Sequence, residues 1–386
     1  MKLNRFQQKL IKHRLTRHPA STRRLARSVW EKLHLDKPLF LGLVVLTILG
    51  LFILYSADNQ SLVLLGKQAI WVCIALVAMV LFAQIPPQRY FQWAPWVFLV
   101  GLILVVAVML VGHTGKGAQR WLRLGFFSFQ PSEIMKLAMP LMLAWYLDKR
   151  PLPPSLLTLL GAVIMLIIPV ALVAKQPDLG TALIIFISAA CVLFLSGLRW
   201  RIIILIILLI AVSGPFLWHH LHDYQRQRVL TFLDPETDPL ATGYHIIQSK
   251  IAIGSGGVFG KGYLHGTQSH LQFLPEHETD FIFAVCGEEF GLIGNIILIA
   301  VYSFIVFRGL YISMQAQDTF SRLVAGSLSL SFFLSFFVNM GMVSGMLPVV
   351  GVPLPLISYG GSAMITIMAG FGIIMSIHTH RKLLGR

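Results

Sequence analysis

The chain has 386 residues, 56% hydrophobic and 12% charged, with a mean hydropathy of +0.75. An ordinary water-soluble domain is excluded, because the apolar residues come in runs of about twenty, the length of helix that crosses a bilayer core of about 30 Å. A formal charge of +15 would suit nucleic acid, but the basic residues sit mostly beside the apolar runs, which argues against that partner.

Residues 1–37 form a basic, polar tail, and the apolar run at 38–57 is too long for a cleavable signal and reads as a retained first span. Hydropathy windows predict further spans at 61–84, 92–112, 132–148, 156–174, 179–197, 201–219, 280–307, 320–344 and 356–378. The expected fold is therefore all-α: a polytopic integral membrane protein with ten transmembrane helices, one unit over 38–386, and a large extracytoplasmic loop at 220–279. With the N-terminus inside, 21 of the 31 lysines and arginines fall in inner segments and 8 in outer ones, so the positive-inside bias places both termini in the cytoplasm. Cys73, Cys191 and Cys286 all lie in apolar runs and give no disulfide framework or metal motif.

The long loop is not low-complexity. It carries Asp234-Pro235 and Asp238-Pro239 turn signals, a glycine-rich stretch from Gly254 to Gly266, and a short helix expected near Tyr244 to Ile253. Three helices are expected to open toward the outside, at Gln130-Pro131-Ser132-Glu133, Gln176-Pro177-Asp178 and Thr279-Asp280. Their free N–H groups favour anions such as phosphate.

Gly115-Lys116-Gly117 and the run Gly254 to Gly262 invite a nucleotide reading, but a P-loop needs glycine where Ser255 stands and Ser or Thr where Gly262 stands. The second run reads as either a flexible hinge or a backbone cradle for a non-nucleotide phosphate. His219, His220, His222 and Asp223 cluster at a span end but match no zinc spacing, so no metal ligand is assigned. Arg226 and Arg228 are phosphate ligands or solvated loop charges.

Glu133 and Lys136 lie three apart on one helical face, where lipid would cost each charge about 2.5–3.5 kcal/mol at mid-span. They must face protein or a wet cavity, as a packing ion pair or as a substrate site. Asp280 stands at the membrane boundary before an apolar helix, either as a helix-opening carboxylate or as a reactive one. Glu288, about 80° away around that helix, could share its cavity, whereas Glu289, about 180° away, could not. Hydrogen bonding inside the protein accounts better for both acids, and Gly287 and Gly291 suit a close helix contact.

Taken together, these residues resemble the SEDS family (shape, elongation, division and sporulation) of bacterial wall synthases. The matching segments are Lys116 to Leu122, Phe129 to Glu133 with Lys136, Gln176 to Thr181, His222 to Arg228, Gly243 to Gly262, Phe273 to Val285 and Pro353 to Ser362. The likeness runs from the first span to the C-terminus, and Gly243 to His245 with Gly266 to Gln268 resembles the elongation branch. Glu278 stands where the family often has histidine before Thr-Asp, with His277 one place earlier.

The resemblance implies a peptidoglycan glycosyltransferase that polymerises lipid II on the periplasmic face of the bacterial cytoplasmic (inner) membrane. It implies Asp280 as the catalytic aspartate, with Arg120 and Lys136 as leading pyrophosphate ligands, followed by Lys116, Lys175 and Arg226. Glu133 would hold Lys136 or join the acceptor's proton network, and Asp178 belongs to the matching substrate-binding motif. No cofactor is assigned with certainty, and a divalent cation (Mg or Mn) assisting the leaving group is left open because no ligand set stands out. Implied partners are lipid II, the growing glycan strand, a class B penicillin-binding protein supplying transpeptidation, and other elongation-machinery membrane proteins. A lipid-linked precursor flippase and a non-enzymatic scaffold are the rival readings.

Overall fold

In this computed structural model the described residues are 29–115, 118–124, 127–202, 204–205, 208, 212, 223–235, 242–270 and 276–381. Lys116, His219, His220, His222 and most of the expected span 201–219 lie outside them. The described elements begin with α1 (Val29–Lys32), α2 (Lys37–Ala57), α3 (Leu62–Gln84) and α4 (Pro87–Val111). A small antiparallel sheet follows, β1 (His113–Gly115), β2 (Ala118–Leu124) and β3 (Phe127–Phe129), in that order. Then come α5 (Pro131–Asp148), α6 (Leu156–Lys175), α7 (Leu179–Leu195), α8 (Asp223–Leu233), α9 (Thr242–Gly256) and α10 (Thr267–His270). The chain closes with α11 (Ile282–Met314), α12 (Thr319–Val343) and α13 (Gly361–Thr379).

Seven of these helices, α2, α3, α4, α6, α11, α12 and α13, are long and apolar enough to cross a membrane. α7 is apolar but 17 residues long, and α5 carries Glu133, Lys136 and Asp148 within its 18. The expected all-α polytopic architecture holds, with a three-stranded sheet added between α4 and α5. The expected count of ten would need α5, α7 and the span at 201–219 in addition to these seven.

Local chemistry explains the boundaries. Asp36, Ser61, Ser155, Asp178 and Asp318 each accept a backbone N–H in the first turn of α2, α3, α6, α7 and α12. Pro131 occupies the first position of α5, as its sequence suggests. Pro177 instead precedes the Asp178 cap, so proline does not open α7. Asp280 also lies outside its helix, in the turn before the Phe281 cap. The last span starts at Gly361 rather than 356, because Leu356 has φ +66°, outside the right-handed helical region.

The bundle is layered by exposure. In their most apolar windows 61% of residues in α12 and α13 are buried, against 22% in α3 and α4, so the latter face lipid. α5 lies inside, with Met135, Ala138, Met139, Leu143, Ala144 and Leu147 fully buried against α4, α7 and α12. α11 packs along α2, α9 and α12, and α3 packs along α13.

Backbone groups of the glycine-rich run are taken up inside the fold rather than left open to a phosphate. Gly291 has φ +63° and ψ −158°, which breaks α11 and frees backbone groups on both sides. Lys261 N and Gly262 N donate to the carbonyls of Glu288 and Glu289, at 3.0 and 3.1 Å, while Leu292 N and Ile293 N donate to the carbonyls of Gly257 and Val258, at 3.0 and 3.2 Å. The turn thus fills the gap in the helix, satisfying groups that would be costly to leave bare in lipid. Close helix contact at Gly287 and Gly291 is made with α9 and this turn: a Cβ on Gly256 would lie 2.0 Å from the Gly287 carbonyl oxygen. Glu288 accepts from Lys261 Nζ at 2.6 Å and from Thr267 N at 2.9 Å, and Glu289 accepts from Ser56 Oγ at 2.5 Å. Both are hydrogen-bonded buried acids, and neither lines the cavity described below.

The start of α2 meets the last turn of α13 and Arg308 of α11 at one end of the bundle. Arg308 grips Asp36 with two hydrogen bonds, at 3.0 and 2.6 Å, and His378 Nε2 stands 3.3 Å from the same carboxylate. His34 and His380 stack at 4.0 Å. Burial opposes the Asp36 charge, but the Arg308 and Leu39 hydrogen bonds and the nearby cations outweigh it and hold the carboxyl below its usual range.

Candidate active site

At the opposite end of the bundle, α5, α7, α12 and the segment 351–360 enclose an open cavity of about 600 Å³. Lys136, Gly180, Thr181, Ser335, Gly351 and Tyr359 are among its walls. A second cavity of about 480 Å³ shares Lys136, Ile184, Ser335 and Ile367 and extends between α7, α12 and α13 past Phe332, Phe371 and Ile374. Lys136 marks the junction of the more polar first cavity and an apolar slot.

Lys136 Nζ lies 2.6 Å from Glu133 Oε1. Glu133 is almost fully buried, and its Oε2 has no hydrogen-bond partner among the described residues. The buried carboxylate one turn away holds the ammonium at the cavity wall. Beside it, Gln130 Nε2 donates to Asp178 Oδ2 at 2.8 Å and to Ser132 Oγ at 3.0 Å, joining the N-terminal ends of α5 and α7.

Arg120 enters this network from β2, which packs on α4 and α5. Its Nη2 donates to the Pro177 carbonyl at 2.7 Å, and its Nη1 is 3.6 Å from Asp178 Oδ1. Asp178 is therefore occupied: it caps α7, accepts from Gln130 and anchors Arg120. Its visible role is to hold a cation beside the N-terminus of a wall helix.

Asp280 is set by a knot of backbone contacts. Tyr359 N donates to the Glu278 carbonyl at 2.9 Å, Ser358 Oγ to that of Thr279 at 2.6 Å, and Asn339 Nδ2 to that of Asp280 at 2.8 Å. Gly351 separates the aspartate from the cavity: a Cβ on it would lie 3.5 Å from Asp280 Oδ2. The other face of Gly351 rests on Gly180. Asp280 and the start of α7 thus flank one glycine.

Of the residues singled out from sequence, Lys136 lines the cavity, Glu133 holds Lys136, Arg120 and Asp178 adjoin the wall at Gly180, and Asp280 lies behind the wall, against Gly351. Lys175 is exposed at the end of α6, and Arg226 stands partly exposed on α8; neither lines the cavity. Lys116 lies outside the described residues. Among the described residues no group of three His, Cys, Asp or Glu could hold a metal ion, and Glu133 and Asp178 are engaged by Lys136, Gln130 and Arg120. Sequence reasoning missed Gln130, Gly351, Asn339 and Ser358. Gln130 and Ser358 lie within motifs it had quoted, whereas Asn339 carried only the weak signal of an amide in an apolar helix.

The family model for cell cycle proteins of the FtsW, RodA and SpoVE type matches residues 32–383. The chain belongs to that family. It is 55% identical over 361 residues to the peptidoglycan glycosyltransferase MrdB of Escherichia coli strain K12, covering 93% of this chain and 98% of that one. It is 37% identical to the probable peptidoglycan glycosyltransferase FtsW of Geobacter metallireducens, covering 90% and 95%. Among solved structures, a chain of a peptidoglycan synthase complex coordinating polymerization and crosslinking superposes with a TM-score of 0.80 at 31% identity, covering 90% and 98%. The rod shape determining protein RodA of Thermus thermophilus does so with a TM-score of 0.68 at 27% identity, again covering 90% and 98%. The family membership expected from the motifs is borne out along nearly the whole length.

Proposed function

We propose that this protein is a peptidoglycan glycosyltransferase that polymerises lipid II into glycan strands during cell elongation. The observation that carries the reading is the cavity itself, where a cation fixed by a buried carboxylate joins an apolar slot and a separately held aspartate stands against the wall at Gly351. Membership of the family and 55% identity to MrdB support it.

The reaction follows from those parts. The Asp280 carboxylate removes the proton from an acceptor sugar hydroxyl, whose oxygen bonds to the anomeric carbon of the donor. The bond from that carbon to the phosphate oxygen breaks, and the lipid pyrophosphate departs with the electron pair. Lys136, Arg120 and the N-terminal end of α7 offset the charge on the departing anion. The slot below Lys136 takes the first isoprene units of the carrier. One displacement inverts the anomeric centre, so an α-linked donor gives a β-linked strand.

The charge bias of the connecting segments supports a topology with both termini in the cytoplasm and the cavity mouth on the periplasmic face of the inner membrane. The growing strand is handed to a class B penicillin-binding protein, a pairing supported by the likeness to a chain of a synthase complex. Purified protein supplied with lipid II tests the reading: Asp280→Asn lowers chain formation by about 10²–10⁴. Undiminished polymerisation by that variant removes Asp280 as the base. Absence of polymerisation by the unaltered protein, with or without its partner, leaves the flippase or scaffold reading.

A further inference from the structure

Three consecutive carbonyls, those of Glu278, Thr279 and Asp280, are each held by one donor. Two of those donors, Tyr359 N and Ser358 Oγ, belong to the same extra-helical segment that walls the cavity and would move with it. The third is Asn339, fully buried on α12, and of the three it alone belongs to a membrane helix. Its Nδ2 also donates to the Val352 carbonyl at 2.7 Å. One amide group therefore fastens both the aspartate's backbone and the cavity wall to the bundle core.

The chemistry of the contact demands an amide. Both partners are carbonyl oxygens, so the nitrogen must face them, and an NH₂ group supplies two protons where a hydroxyl supplies one and a carboxylate none. Asn339 Oδ1 has no hydrogen-bond partner among the described residues, an arrangement that packing alone would not favour at a fully buried position. We propose that Asn339 is a positioning residue for the transfer reaction, fixing Asp280 relative to Gly351 and the cavity mouth. The inference rests on Asp280 being the base.

Steady-state polymerisation of lipid II by the purified full chain tests it, with Asn339→Leu, which keeps the branching but donates nothing. Expected is a fall in kcat of about 10–100-fold with KM little changed, as displacement of a reacting group by about 1 Å produces. The acid limb of the pH–rate profile, which reports the base, should also move. A merely structural role would lower the folded fraction and leave both the acid limb and the rate per folded molecule in place, and that result overturns the proposal. Asn339→Asp fills the same volume without donors and carries the same readout should the leucine variant fail to fold. Asp280→Asn run in parallel separates the two levels: an active Asp280→Asn sinks the base, whereas an inactive one beside a normal Asn339→Leu sinks only the positioning role.

Discussion

Gly180 and Gly351 meet backbone to backbone: a Cβ on Gly180 would lie 2.7 Å from the Gly351 carbonyl oxygen and 2.8 Å from that of Val350. Both atoms belong to main chain rather than to a side chain that could rotate away, so Gly180→Ala must shift the 350–351 segment, against which Asp280 stands. The expected outcome is a polymerisation rate lower by about 10²-fold in protein that still folds. Gly351→Ala meets no overlap, but φ +75° strains it by about 1–2 kcal/mol, which thermal unfolding in detergent would register.

The Glu133–Lys136 pair yields a sharper contrast. Lys136→Met leaves an almost fully buried carboxylate without its cation and should cost about 3 kcal/mol, the lower end for breaking a buried pair because the ammonium is partly exposed. Adding Glu133→Gln should recover most of that stability without restoring rate, since the leaving anion still lacks its ammonium. Melting temperature and chain formation measured on the same two proteins separate the structural share from the chemical one.

Gly260 lies at φ +79°, and a Cβ there would stand 2.0 Å from the Glu289 carbonyl oxygen. Gly260→Ala should therefore expel the turn from the gap in α11 and destabilise the protein by about 3 kcal/mol. Hydrogen exchange should show the loss first at Lys261, Gly262, Leu292 and Ile293, the four amides that bridge the gap.

Asp36 has a carboxyl held below its usual value of 3.8, so the ionised form stabilises the folded protein. That contribution is complete above the unfolded-state value and fades as pH falls below about 3.8 toward the folded-state value. Asp36→Asn should lower stability at neutral pH by about 3 kcal/mol by leaving Arg308 without its partner, and the deficit should shrink on acidification through that window. Denaturation of both forms as a function of pH measures it.

Seven of the spans, the family and the Glu133–Lys136 pair were legible in the sequence because bilayer thickness, motif wording and helical spacing are local signals. The boundaries near Asp280 and Gly361 were less so: a turn rich in apolar residues has the same hydropathy as the helix it precedes. The small sheet escaped for a similar reason, since strands of three and seven residues between two spans leave little periodicity. Lys175 and Arg226 show the limit of reasoning by charge alone, since a cation at the right end of a bundle can still face away from the cavity. Asn339 and Gly351 depend on contacts across 59 and 71 positions, to Asp280, which no spacing rule encodes.

The broken α11 bears on how the chain is made. Residues 257–262 precede Ile282 in the order of synthesis, so the amides and carbonyls that complete the fractured helix already exist when that helix leaves the ribosome. A segment that would otherwise enter lipid with bare peptide groups finds its complement waiting. Moving the glycine turn to a later place in the gene, by circular permutation, would deprive the nascent helix of that companion and expose it to quality-control proteolysis during insertion.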